Sequence, residues 1–311
     1  MRSMAPTSEP QTTARVLMVR PAAFGANPET AESNSFQAAT GSSPEVRARA
    51  LAEFDGFVAT LERHGVEVFV GEDTPEPVKP DALFPNNWVS FHAGGKVVLY
   101  PMFAPSRRAE VRLELLGRLE RRGAIQPRTQ IDLRPGAEHF GYLEGTGSLV
   151  LDRARRVAYA CLSPRTSARK VREFCAELGY EPELFQALDR AGRPIYHTNV
   201  MLSVGKGFAL LCAQSIHDAD SRARVEARLR EGGRELVTLT LAQVEEFAGN
   251  VLELCSRAGE PLIVLSRRAH AALEPAQLTV LERHGRLVPV ELDTIERHGG
   301  GSARCMLAEL F

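Results

Sequence analysis

Cys305 follows Gly299, Gly300, Gly301 and Ser302 near the end of the chain, and a cysteine in that setting can serve as a nucleophile. A glycine run lets backbone approach a ligand closely and can aim several N–H groups at one point. The thiolate is the attacking species, and reactive cysteines gain it from an adjacent cation or from N–H dipoles. His197 interrupts an otherwise apolar stretch that continues through Val200, Met201 and Leu202. An imidazole titrates near neutrality, so it can protonate a leaving amine and then activate water. Glu144 would orient that imidazole or hydrogen-bond the nitrogen groups of a substrate; the plainer alternative is a strand-end glutamate facing solvent. Cys161, Cys175, Cys212 and Cys255 read as small buried hydrophobes. His64, His92, His217, His270, His284 and His298 read as structural, and His139, close to Glu144 in the chain, is left unassigned.

These residues share a register. Asn86–Asn87, Glu144, His197 with Asn199, Asn250, and Cys305 each break an apolar pattern at the first strand of a hairpin. The hairpins occupy residues 83–102, 143–164, 196–216 and 249–269, each an apolar run, a polar or glycine turn, and a second apolar run. A fifth begins at Gly299 and reaches the end of the chain, and the early strand at 14–21 would be its missing partner. Helical periodicity at 44–64, 106–121, 166–178 and 269–284 separates the hairpins. Those stretches stop at Gly65, Gly123, Gly179 and Gly285, glycine being the residue best able to take the left-handed conformation that ends a helix. Short apolar runs such as 66–70 and 287–292 follow.

The expected unit is therefore strand-turn-strand-helix-strand, repeated five times in an α/β chain. Radial repetition that brings the last strand beside the first gives a propeller-like ring. An open α/β sheet with helices on both faces also fits the alternation. In a ring, equivalent positions converge on the axis, so a Cys, a His, a Glu and several amides would face one pocket. Buried polar groups cost about 1–3 kcal/mol each when unpaired, so such a set implies mutual pairing or a ligand. Residues 1–14 are polar and proline-bearing and are expected to be a disordered tail, with 15–311 forming one catalytic domain.

The remaining composition narrows the partners. With 38 basic and 39 acidic residues, the chain has no electrostatic reason to bind nucleic acid or an anionic membrane surface. Its N-terminus lacks the apolar core of a signal peptide, and no apolar run reaches membrane-spanning length. Five widely spaced cysteines without a C-x-x-C pair speak against a disulfide framework or zinc ribbon, and a cytoplasmic location is expected. No G-x-G-x-x-G or Walker-type loop is present, so no nucleotide site is expected. The partner foreseen is a small-molecule amino acid, and a homodimer is left open.

At these residues the chain resembles a known group. The segment Gly299-Gly300-Gly301-Ser302-Ala303-Arg304-Cys305-Met306 is similar to the nucleophile motif of arginine deiminases and amidinotransferases. Leu143-Glu144-Gly145-Thr146-Gly147-Ser148 resembles their Glu-Gly-Gly segment, and His197-Thr198-Asn199 their His-x-Asp. Asp81-Ala82-Leu83-Phe84-Pro85-Asn86-Asn87 resembles the Asp-x-x-Phe-x-Glu-Asp of methylarginine hydrolases. Over residues 15–311 the match to this guanidine-modifying superfamily implies the pentein fold, a five-bladed α/β propeller. It also implies a Cys–His–Glu mechanism with no metal and no cofactor. By the same pattern Asp81 would meet the substrate's α-amino group, Phe84 would line the pocket, and an arginine, Arg20 or Arg304, would meet the α-carboxylate.

The departures bear on substrate. Relatives clamp a cationic guanidinium with carboxylates where this chain has Asn87 and Asn199, and Asn86 replaces a further acid. A carboxylate only accepts hydrogen bonds, whereas an amide both donates and accepts, which suits a neutral ureido group. Losing two charge-assisted bonds of about 1.5–3 kcal/mol each should penalise arginine. Citrulline is the expected substrate, giving ornithine, ammonia and carbon dioxide. The chain also resembles the citrulline-utilisation hydrolases of CtlX type, in MVRPAAFGANPETAESNSFQ, PNNW, LEGTGS, YHTNVML and GGGSARCMLAE. The alternatives are an arginine deiminase or methylarginine hydrolase, an amidinotransferase, and a non-catalytic pentein that binds a protein.

Overall fold

Each hairpin closes into a small sheet. The computed structural model describes residues 9–31, 34, 36, 37 and 41–311. Strands β1 (Arg15–Arg20) and β2 (Glu67–Glu72) run parallel, with Val16 opposite Val68. A tight turn cannot join parallel strands, and the helix Pro44–Arg63 makes the crossover. The next four sheets repeat one plan: an antiparallel hairpin, then a third strand parallel to the second. They are β3 (Val89–His92), β4 (Lys96–Leu99) and β5 (Thr129–Asp132); β6 (Val150–Asp152), β7 (Val157–Cys161) and β8 (Glu181–Phe185); β9 (Leu202–Val204), β10 (Phe208–Leu211) and β11 (Glu235–Thr238); and β12 (Leu252–Cys255), β13 (Pro261–Ser266) and β14 (Arg286–Val290). The final strand β15 (Ala308–Glu309) pairs antiparallel with β1, placing Glu309 opposite Val16. The chain's two ends thus complete one blade, and the ring expected from the repeats is an α/β propeller of five three-stranded sheets.

The crossover helices pack as their periodicity requires. Along Pro44–Arg63, the side chains of Ala50, Phe54, Phe57 and Leu61 are buried against Val16 and Met18 of β1 and Val288 and Val290 of β14. Ser43 accepts the Val46 N–H at its N-terminus, satisfying one of the free donors of a first turn. The stretch expected at 269–284 is two helices, Arg267–Ala272 and Pro275–His284. Pro275 supplies no N–H and disfavours helical backbone at the residue before it, so the helix restarts there. Likewise 106–121 divides into a 3-10 stretch, Pro105–Glu110, and a helix, Leu113–Arg121. Gly65, Gly123 and Gly179 take the positive φ expected at helix ends. Gly285 does not: its φ is 176°, and a Cβ there would stand 2.9 Å from the Pro261 carbonyl oxygen.

The first strands of the blades face the axis. Behind the turns that carry the polar residues, a small cavity is lined by side chains of β6, β9, β12 and β15. Of the tail expected to be disordered over 1–14, residues 9–14 are described, and they are ordered, closing this end of the ring. Gln11 donates to the Leu151 and Val204 carbonyls at 2.9 and 3.0 Å, and buried Glu9 pairs with Arg153 at 2.7 Å. The segment lacks large apolar side chains but finds buried partners for its polar ones, which orders it. Residues 1–8 lie outside the described residues. No helix among the described residues is long and apolar enough to cross a membrane.

Candidate active site

The polar residues sit one step earlier than the sequence indicated. They lie in the turns that enter the first strands, not within them. Asn86 and Asn87 are in the 3-10 turn Pro85–Asn87, and Cys305 is in the turn Ala303–Met306. Glu144 and His197 hold the N-cap positions of Gly145–Ser148 and Thr198–Val200. A strand side chain packs along the axis, whereas a turn at the strand's mouth projects over its open end. Three residues before each first strand stand Asn86, Gly147, Asn199, Gly249 and Cys305. The two glycines leave room for the others: a Cβ on Gly147 would lie 2.5 Å from Asn87 Nδ2 and 2.7 Å from the His197 ring.

Cys305 is 3% exposed and is held between two amides. Asn250 Nδ2 is 3.3 Å from its Sγ and Asn199 Nδ2 is 3.6 Å away. Its own N–H donates to the Ser302 carbonyl at 3.0 Å. Burial pushes the thiol's pKa up, against the opposing pull of the Ser302 backbone, Asn250 and Arg304. Burial thus favours the thiol over the thiolate. The glycine run is anchored on both sides: Gly300, at φ 64°, donates its N–H to the Glu296 carbonyl. Its own carbonyl accepts from the Tyr196 hydroxyl at 2.7 Å and from Asn34 Nδ2 at 3.1 Å. Gly300 N–H is thus used within the protein and is not aimed at a ligand.

His197 and Glu144 form a buried pair, Nε2 to Oε2 at 2.8 Å. The solvent-facing reading of Glu144 is excluded, since it is 0% exposed. Its Oε1 accepts the Phe103 N–H at 3.0 Å, and guanidinium nitrogens of Arg107 and Arg165 each lie 3.5 Å from Oε2. Burial pushes the Glu144 pKa up, but Arg165, His197 and Arg107 outweigh it and hold the carboxyl well below the usual range. An ionised carboxylate can only accept, so Nε2 carries the proton and Nδ1 presents the lone pair. Burial drives the imidazole pKa down to about 4, against the pull of Glu144. The resting imidazole is neutral and able to take a proton.

His197 and Cys305 open on a narrow cleft that Asp81, Phe84 and Asn87 also line. Asn86, Asn199 and Asn250 are not on its wall. Asn86 Oδ1 accepts from Asn87 Nδ2 at 3.1 Å, so Asn86 orients Asn87, while Asn199 and Asn250 stand behind the thiol. Asp81 accepts from Asn27 Nδ2 at 2.7 Å and lies 3.6 Å from Arg107. Arg20 does not reach the cleft. It ends β1 on the surface, forked onto Asp55 at 2.8 and 2.9 Å, because the helix beside β1 offers it a carboxylate there. Arg304 points to the far side of the axis, onto Glu309 at 3.0 Å. The arginines that line the cleft are Arg107 and Arg165, which the sequence reading missed. Their signal is a proline just ahead, Pro105 and Pro164, soon after the second strand of a hairpin.

The other cysteines behave as hydrophobes. Burial pushes the thiols of Cys161 and Cys175 up to about 12, and His139 is exposed, away from the cleft. Among the described residues, no three His, Cys, Asp or Glu side chains come together as a metal-ligand set.

The model of the family described as N,N dimethylarginine dimethylhydrolase, eukaryotic, matches residues 20–311. No protein of curated function matches. One similar solved structure is the N-terminal domain of ArgZ, an arginine dihydrolase from the ornithine-ammonia cycle in Cyanobacteria, as a Cys-to-Ser variant bound to substrate. It has 18% identity and a TM-score of 0.74 over 95% of this chain and 97% of that one. A variant of AgrE in a binary complex with L-arginine gives 20% identity and a TM-score of 0.74, covering 96% of this chain and 40% of AgrE. A dimethylarginine dimethylaminohydrolase carrying an adduct with S-methyl-L-thiocitrulline gives 14% identity and a TM-score of 0.64, covering 95% and 99%. These structures share the pentein fold with this protein, and the sequence match over residues 20–311 places the chain in the N,N-dimethylarginine dimethylhydrolase family.

Proposed function

We propose that the protein is a cysteine hydrolase acting on the ureido or guanidino carbon of an arginine-like amino acid, and that citrulline is its preferred substrate. The observation that carries the substrate assignment is the charge of the cleft. Asp81 is its one acidic lining residue among those described, and it already engages Asn27 and Arg107, while Arg107 and Arg165 are both cationic. A guanidinium would meet the Asn87 amide and no free carboxylate beside Cys305 and His197, whereas an amide can both donate to and accept from a neutral ureido group. Asp81 would take the α-ammonium of the substrate, and Arg107 and Arg165 its α-carboxylate, a pairing that a guanidinium fork suits.

His197 Nδ1 takes the Cys305 proton as Sγ attacks the ureido carbon. The Asn250 and Asn199 amide donors stabilise charge on sulfur. The imidazolium, paired with Glu144, then protonates the departing nitrogen. Loss of ammonia leaves an N-alkyl thiocarbamate on Cys305. Water, deprotonated by His197, cleaves the C–S bond and returns the thiol. The carbamic acid released breaks down to ornithine and carbon dioxide, consuming one water in all.

Incubating the protein separately with citrulline, arginine and dimethylarginine, and assaying ornithine, citrulline, ammonia and dimethylamine, tests the reading. Turnover of arginine or dimethylarginine without turnover of citrulline would overturn the substrate assignment. That second reading, a guanidine hydrolase, is favoured by the family model, by the likeness to ArgZ, an arginine dihydrolase, and by the L-arginine complex of AgrE. A Cys305→Ala variant that keeps full activity would overturn the mechanism.

A further inference from the structure

Glu296 is fully buried in the helix Asp293–Gly299, in the apolar surroundings of Leu292, Ile295 and Ala303. Burying a carboxyl among apolar groups is unfavourable unless hydrogen bonds offset it. Hydrogen bonds to the nucleophile loop offset part of that cost, and Ser266 stands beside the same carboxyl. Glu296 Oε1 accepts from the Ser302 hydroxyl at 2.5 Å. The Glu296 carbonyl accepts the Gly300 N–H at 3.0 Å, and the Ser302 carbonyl accepts the Cys305 N–H at 3.0 Å. One residue therefore holds the glycine run at two points, and the second point is one hydrogen bond from the cysteine backbone.

We propose that Glu296 is a positioning residue for the nucleophile: through Ser302 it fixes the backbone of Cys305, so that Sγ stays between the amides of Asn199 and Asn250. The proposal rests on Cys305 being the nucleophile. Glu296 does not line the cleft and acts only through Ser302. Burial pushes its carboxyl up to about 7, against Ser266, Ser302 and Arg268, with Asp293 adding to the rise; Arg268 is itself paired with Glu246. The group keeps its acceptor oxygen for Ser302 in either protonation state, so the loop is held across the neutral range.

Packing and positioning separate under substitution. Glu296→Leu keeps much of the volume but leaves the buried Ser302 hydroxyl without its acceptor, at a cost of about 1–3 kcal/mol. Glu296→Gln keeps the acceptor and cannot ionise. The readouts are the rate of Cys305 alkylation by iodoacetamide, followed by peptide mass spectrometry, the kcat and KM on citrulline, and the midpoint of urea unfolding. Glu296→Leu is expected to stay folded without urea, its midpoint lowered by no more than that cost, yet to lower the Cys305 alkylation rate and kcat about tenfold or more, with KM little changed. Glu296→Gln should stay within about threefold of the unmodified protein, and Ser302→Ala should match Glu296→Leu, with the double variant no worse than either single one. Unchanged Cys305 reactivity in Glu296→Leu overturns the proposal, as does a Gln variant as impaired as the Leu variant. Failure of Cys305 to react in the unmodified protein instead defeats its role as nucleophile.

Discussion

Asn250 lays its amide nitrogen 3.3 Å from Cys305 Sγ while its carbonyl oxygen accepts the Arg304 N–H at 2.9 Å. The backbone bond fixes which way the amide faces, so it is the donor that meets sulfur. A donor favours thiolate, and burial opposes it, leaving the thiol above its ordinary value. Alkylation of Cys305 in the unliganded protein should therefore be slow at neutral pH and rise through and beyond the ordinary thiol range. Asn250→Asp replaces the donor with an acceptor and should move that rise to still higher pH. At a fixed neutral pH the variant should react about 10–100-fold more slowly, the worth of a hydrogen bond to a charged group. The pH profile of iodoacetamide labelling measures both.

The Glu144–His197 pair makes a second prediction. Glu144→Gln keeps the shape but loses the charge that stabilises an imidazolium, so kcat on the preferred substrate should fall by about 10²–10⁴, the range for general acid–base groups. The same pair governs stability in acid. His197 is about 4 in the fold against an ordinary 6.5, so the unfolded chain binds more protons between those values and stability falls as pH drops through them. Glu144, held below its ordinary value, works in the same direction at lower pH. Urea midpoints measured from pH 7 to pH 4 should decline in the unmodified protein, and the His197 part of that decline should persist in Glu144→Gln, where the charge that pulls the imidazole pKa up is gone.

Much of this was legible in the sequence because a propeller repeats its signals. Apolar runs around polar turns located the ten hairpin strands, and the missing partner of Ala308–Glu309 was found at the other end of the chain. Cys305, His197 and Glu144 stood out because each breaks an apolar pattern. Side-chain direction was not legible: a shift of a few residues from strand to turn moved Asn199 and Asn250 from the pocket wall to the back of the thiol. Arg20 was misassigned because nothing in a linear pattern shows that Asp55, a helix residue distant in sequence, stands beside it. Arg107 and Arg165 were overlooked among many arginines, since only the fold shows that they share Glu144 with His197. The order of residues 9–14 was missed because it depends on ion pairs with distant blades, not on apolar content.

Asn87 is an amide on the cleft wall, and Asn86 holds it in place. Asn87→Asp would add a carboxylate where a substrate's reacting group would lie, which should favour a cation over a neutral ureido group. The ratio of kcat/KM for arginine to that for citrulline should rise about 10–100-fold, matching one charge-assisted bond of about 1.5–3 kcal/mol. Competition assays with both substrates present measure that ratio directly. An unchanged ratio would mean that Asn87 does not read the charge of the group beside Cys305.

At the other end of the axis, Glu9 joins the N-terminal segment to two blades. Its Oε1 pairs with Arg153 at 2.7 Å, its Oε2 accepts from the Tyr180 hydroxyl at 2.8 Å, and His92 Nδ1 lies 3.4 Å away. All four side chains are buried. Burial pushes the Glu9 carboxyl up, but His92, Arg153 and Tyr180 outweigh it and hold the pKa well below the usual range. Removing one partner of a buried ion pair leaves an uncompensated charge, so Glu9→Ala should destabilise the fold by about 3–5 kcal/mol at neutral pH. Trp88 is the single tryptophan and is buried, so its fluorescence reports unfolding in urea. The loss should shrink as pH falls, because the native carboxylate contributes stability only above the unfolded pKa and loses it toward the folded one. Glu9 does not line the cleft, so kcat per folded molecule should stay unchanged, and a variant that loses activity while keeping its stability would contradict this purely structural role.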